Sequence, residues 1–133
     1  MINYGFTKEL NVPFEEVIEV VTEELKKEGF GILTKIDVKE KFKEKIGIDF
    51  KKYVILGACN PPSAHRAILA EENIGLMLPC NVIIYEKGNK TVISIIKPTV
   101  AMDMINNEKL RQIAAMVETK LKNVFDSIKQ EDV

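Results

Sequence analysis

Residues 59–81 hold Cys59, Asn60, His65, Cys80 and Asn81, and so contain both cysteines and the sole histidine of the chain. Each cysteine is followed by asparagine beside proline, in Gly57-Ala58-Cys59-Asn60-Pro61 and in Leu78-Pro79-Cys80-Asn81. Two thiolates and one imidazole form a donor set for zinc or another soft metal, with a fourth position left for water, substrate or a partner's side chain. Only Cys59 and His65 lie near each other in sequence, and no C-x-x-C pair announces a zinc knuckle or redox motif. A second chemistry makes Cys59 a nucleophile or redox thiol. It ends a strand and precedes a helix, where unpaired N–H groups and the dipole would lower its pKa, with His65 as base. Glu72, Asn60 or Asn81 would then orient the imidazole. A third is an apolar small-molecule pocket, oriented by Asn60, Ser63 and Asn81 and walled by Met77, Met102, Met104 and Met116. Against all three stands the plain reading: Cys59 and Cys80 as small buried hydrophobes, His65 as a hydrogen-bonded helix residue, and methionines as core filling.

The elements that must position these residues follow from periodicity. Ile2, Tyr4 and Phe6 alternate with smaller or polar residues, a period of two that reads as a half-buried strand. Pro13 suits a first helical turn, and Phe14, Val17, Ile18, Val21 and Leu25 recur at helical spacing up to Gly29. Phe30, Ile32, Thr34 and Ile36 then alternate as a second strand. Asp37 and Glu40 form a capping box for a short helix with the stripe Val38, Phe42 and Ile46, ended by Gly47. Its charges, Lys39 to Lys45, read as a solvated face. The run from Tyr53 to Ala58 is apolar on both faces and predicts a central strand. A helix over Ser63 to Asn73 would put His65 toward the apolar side, facing the sheet. Cys80 would return to the level of Cys59 if the two strands run parallel. Residues 76–86 and 91–97 flank Lys87-Gly88-Asn89-Lys90 as a hairpin, with Pro79 near a strand end. Asn106 or Asn107 caps a last helix whose seam is Leu110, Ala114, Val117, Leu121, Val124 and Ile128.

The order β-α-β-α-β-α-β-β-α describes a single α+β domain over residues 1–133, with helices on a mixed or antiparallel sheet. With 46% hydrophobic and 29% charged residues, the chain has the make-up of one globular domain. Nineteen Lys plus Arg against twenty Asp plus Glu leave no basic excess for phosphates, which argues against nucleic acid as a partner. No apolar stretch reaches the length of a membrane span, and Met1 to Leu10 has no signal-peptide pattern, so the expected compartment is the cytoplasm. Apolar residues on both faces of the third strand imply that a second subunit covers one face of the sheet, hence a homodimer.

The run from Tyr53 to His65, continued by Gly75 to Val82 and preceded by Gly29-Phe30-Gly31 through Ile36-Asp37, resembles the domain of unknown function DUF302 family of prokaryotes. The resemblance implies a single α+β domain, seen as a dimer, with no established activity. It carries the family's characteristic positions onto Cys59, Asn60, Pro61, Ala64, His65, Gly75, Leu78, Pro79, Cys80 and Asn81. The reading favoured here is a non-enzymatic binding module with a cleft around Cys59, His65 and Cys80 for zinc or a small ligand. A thiol enzyme and a purely structural partner of another protein are the alternatives.

Overall fold

The computed structural model describes residues 2–129, so residues 1 and 130–133 of the expected domain lie outside it. Five strands form one antiparallel sheet: β1 (Gly5–Leu10), β2 (Gly31–Asp37), β3 (Tyr53–Cys59), β4 (Cys80–Lys87) and β5 (Lys90–Ile96), in the order β1-β5-β4-β3-β2. Neighbours in sequence are neighbours in the sheet except β1 and β2, which occupy opposite edges and are joined by α1 (Phe14–Lys27). The middle strand is therefore β4. β3, expected at the centre, lies one place in from the edge.

One face of the sheet carries the core. The register aligns Val54 with Ile84 and Ile93, and Leu56 with Val82 and Ile95, all fully or nearly fully buried. Val17, Val21 and Leu25 of α1 lie in the same cluster as Leu110, Ala114, Val117, Leu121 and Val124 of the last helix. Burying such stripes against a sheet is what stabilises helices of modest intrinsic propensity. α1 ends in a left-handed turn at Gly29, where φ is +84°.

After β2 comes α2 (Val38–Ile46), with Asp37 accepting from the Glu40 N–H at 3.0 Å and Gly47 left-handed at its end, as the sequence predicts. Its stripe does not enter the core. Phe42 is 37% and Ile46 62% exposed, and none of its residues is buried. Two further expectations change. The first strand starts at Gly5 rather than Ile2, and Ile2 and Tyr4 are exposed. In β2 the register shifts between Ile32 and Thr34, leaving Leu33 as a bulge. Ile32 pairs with the buried Ala58, whereas Thr34 and Ile36 pair with Gly57 and Ile55 on the opposite face. One extra residue thus breaks the apparent Phe30-Ile32-Thr34-Ile36 alternation.

α3 runs Pro61–Ala70 and is shorter than predicted; a 3-10 segment, Glu72–Met77, follows it. The strand expected from residue 76 begins at Cys80, with Pro79 just before it. A short α4 (Pro98–Ala101) precedes α5 (Glu108–Ser127), capped by Asn107, whose Oδ1 accepts from the Leu110 N–H at 3.0 Å. All six predicted seam residues of α5 and its C-cap are buried, and the helix packs within the chain against α1, α3 and α4.

Candidate functional site

A cavity of about 280 Å³ lies between the helix-covered end of β3 and β4 and the helices α3 and α5. The strands contribute Ala58, Cys59 and Cys80, α3 contributes Ser63, Ala64 and Ala67, and α5 contributes Leu110, Ile113, Ala114 and Val117. Phe30, Leu78, Pro79, Pro98 and Met102 also line the cavity. Small residues at 64, 67 and 114 leave room between helices that larger side chains would fill. At the mouth stand Leu33, 65% exposed, and Ile68, 42% exposed. Leu33 reaches this position because it is the bulged residue of β2, a device that redirects one side chain out of the pleat.

Both cysteines border this cavity, though not by the route the sequence suggests. β3 and β4 are antiparallel, so the end of one is level with the start of the other: Ala58 pairs with Cys80, one residue from Cys59. Both thiols are free and half-buried. Burial raises the pKa of Cys59, and it raises that of Cys80 to about 11, with the neighbouring Cys59 charge adding to the shift. The lowered thiol pKa expected from the helix N-terminus is not found. The physical reason is local. Pro61 and Pro62 have no N–H, the Ser63 N–H donates to Asn60 Oδ1 at 3.2 Å, and the Ala64 N–H donates to the Asn60 carbonyl. No helix-end donor in the first turn is left for a thiolate.

His65 does not join the thiols. It is exposed on α3, away from the buried positions Ser63 and Ala67, and does not line the cavity. Among the described residues no group of three or more His, Cys, Asp and Glu side chains is placed to hold a metal ion. The expected Cys59-His65-Cys80 zinc set is therefore not assembled. Its error lies in the helix phase, which turns position 65 outward while 63 and 67 face in. Glu72, offered as an orienting partner, is exposed in the 3-10 segment.

The polar candidates divide as well. Asn60 borders the cavity, yet both ends of its amide are engaged: Oδ1 caps α3, and Nδ2 donates to the Glu28 carbonyl at 3.3 Å. It fastens the end of α1 to the start of α3. Ser63, 3% exposed, lines the cavity, and its hydroxyl oxygen accepts a long hydrogen bond from Arg66 at 3.5 Å. Its own proton stays available to a guest. Asn81 is exposed and borders a second concavity of about 230 Å³, which shares Pro79, Cys80, Pro98 and Met102 with the first. Of the four methionines, Met102 lines the main cavity and Met77 the second, while Met104 and Met116 are exposed. Leu33, Phe30 and the α5 residues were not singled out by the sequence. Only their apolar character signalled them, and that is shared with the whole core.

The molecule is thus a small α+β protein with helices on one face of an antiparallel sheet and an uncharged, thiol-bearing cavity between them. Residues 6–128 match the family model for the domain of unknown function DUF302, and the chain belongs to that family. It is similar to a solved structure, the crystal structure of an uncharacterised conserved DUF302 protein from Bacillus stearothermophilus. The two share 37% sequence identity over 94% of this chain and 98% of that one, with a TM-score of 0.87. No curated protein matches the chain.

Proposed function

We propose that this chain is a binding module for a small, predominantly apolar ligand seated beside Cys59, Ser63 and Cys80, and not a thiol enzyme. The supporting observation is the cavity of about 280 Å³, whose lining is apolar apart from two thiols, one hydroxyl and an already engaged amide. That mix, much apolar wall and few polar groups, is what small-molecule sites use to bind and orient. An enzyme built on Cys59 needs a thiolate and a base. Burial keeps the thiol protonated, and the histidine lies outside.

The module is proposed to work as a homodimer in the cytoplasm. A reduced pair of thiols suits a reducing compartment, and among the described residues no helix is long and apolar enough to cross a membrane. Titration with indole, followed by NMR, tests the ligand site. The expected result is shifts at Ala64, Ala114 and Val117 with a dissociation constant of about 1 mM or tighter, weakened at least about tenfold by Ala64→Phe. Binding equally strong in the filled variant, or no shifts at these residues, would refute the site.

A further inference from the structure

The polar side chains that border the main cavity are mostly hydrogen-bond donors, and one of them has no acceptor within the chain. Ser63 is nearly fully buried, lines the cavity, and is the third residue of α3 after the Asn60 cap. Elsewhere in the protein, hydroxyls in the body of a helix donate to the carbonyl four residues back: Thr22 to Ile18 at 2.7 Å, Thr119 to Ala115 at 3.1 Å and Ser127 to Asn123 at 2.8 Å. Four residues before Ser63 stands Cys59, which belongs to β3, so no preceding helical turn offers a carbonyl to this hydroxyl. Among the described residues, its oxygen meets only the Arg66 guanidinium, at 3.5 Å. A guanidinium has donors and no acceptor, so the serine oxygen accepts there and its proton is left to donate elsewhere.

The rest of the lining offers little to take that proton. Asn60 Oδ1 already accepts from the Ser63 N–H, and no carboxylate or imidazole lines the cavity. Burial keeps both thiols protonated, which leaves their sulfurs as weak acceptors. No lining residue is a cation either, so an anionic guest would be buried unpaired. A buried donor without a partner is costly, and a guest that supplies the missing acceptor removes that cost on entry. A carbonyl oxygen is a neutral acceptor that brings no donor in need of a partner of its own. Resting on the ligand-site reading above, we propose that the ligand of this cavity is an uncharged, predominantly apolar carbonyl compound, a ketone, ester or lactone, whose oxygen accepts from the Ser63 hydroxyl. The contact is a hydrogen bond, and no covalent bond forms or breaks.

The test is NMR titration of the full, reduced chain with 1-indanone and with indole, bicyclic molecules of similar size, the first bringing an acceptor and no donor, the second a donor and no acceptor. 1-Indanone is expected to bind about tenfold more tightly than indole. Ser63→Ala should weaken 1-indanone about tenfold and change indole less than about twofold, a difference that lost packing alone does not produce. The cap on α3 survives this substitution, because Asn60 holds the backbone N–H of residue 63. Ser63→Cys, similar in shape and a weak donor, takes its place if the alanine variant fails to fold. Equal or reversed affinities in the parent, or equal changes of both ligands in the variant, overturn the carbonyl ligand and leave the apolar cavity reading intact. Absence of binding by both molecules removes that reading as well.

Discussion

At the Cys80 sulfur, the strand register and the apolar wall act together. The side chain faces the helix-covered side of the sheet opposite Ala58, and burial raises its pKa to about 11. An unfolded thiol titrates near 8.5. The folded protein therefore holds this proton more tightly than the unfolded chain. Its contribution is fully present below about pH 8.5 and is lost as pH rises through about 11, a fall in stability of roughly 3 kcal/mol. Urea unfolding at pH 7.5 and pH 10.5 should show the decline, reduced in Cys80→Ala; equal declines in both proteins would assign it elsewhere. A second residue-scale prediction concerns Asn60. Its amide closes the first turn of α3 and holds the Glu28 carbonyl, so Asn60→Ala should cost about 1–2 kcal/mol. Asn60→Asp, which keeps only the capping acceptor, should recover part of that. Equal stability of the alanine variant and the parent would show that neither bond matters. The place of Cys59 at a strand end just before a helix was legible from sequence because both are local signals, whereas Asn60, expected to orient a ligand or the imidazole, caps α3 instead. The outward turn of His65 was not legible, since a small shift in helix phase reverses which side a residue faces.

Among the elements, α1, α2, α5 and the β4–β5 hairpin were legible because capping residues, helical stripes and a Lys-Gly-Asn-Lys turn are local devices. The bulge in β2 and the crossing of α1 between the two edges depend on pairing with distant strands, which a period cannot reveal. Gly57 shows one such constraint. It is an interior strand residue, and an added Cβ would sit 2.6 Å from Pro79 Cγ and collide with the Thr34 hydroxyl. Gly57→Ala should therefore destabilise by about 1–3 kcal/mol through overpacking, with partial recovery in the Gly57→Ala, Thr34→Ala pair. An unchanged denaturation midpoint would contradict this packing. Lys8 shows another. Although its side chain lies on the core-facing side of an edge strand, its ammonium donates to the Phe125 carbonyl at 2.6 Å and to the Ile128 carbonyl, and lies 4.2 Å from the Phe125 ring centre. Desolvation lowers its pKa. The cation thus adds a second donor to the Phe125 carbonyl, which also accepts from the Ile128 N–H, and supplies one to the Ile128 carbonyl at the end of α5. Replacing it in Lys8→Met should release the last turn of α5, seen as a loss of amide-exchange protection there before the rest of the helix. Uniform protection along α5 in the variant would sink this role.

On the scale of the whole molecule, helices cover one face of the sheet and leave the other with a distinct surface. On that second face Ile36, Ile55 and Ile83 are aligned by register, and Tyr53 stacks on Tyr85 with ring centres 5.2 Å apart. Phe50 extends this aromatic row to Phe42 on α2. Ile36 is 44% exposed, and Ile46 and Ile48, at and just after the end of α2, are 62% and 50% exposed. A lone exposed apolar residue needs no explanation, but a grouped set does. A self-complementary contact between two copies through this face is the arrangement that the homodimer proposal requires, and a stable one covers roughly 800 Å² on each partner. If this second face forms the interface, Ile36→Lys and Ile83→Lys place charges within it without touching the helix-covered core. Light scattering at micromolar concentration should then report twice the chain mass for the parent and one chain mass for the double variant, with indole binding retained in both. A monomeric parent would discard the dimer. A dimer indifferent to both lysines would move the interface away from this face and leave its isoleucines to solvent.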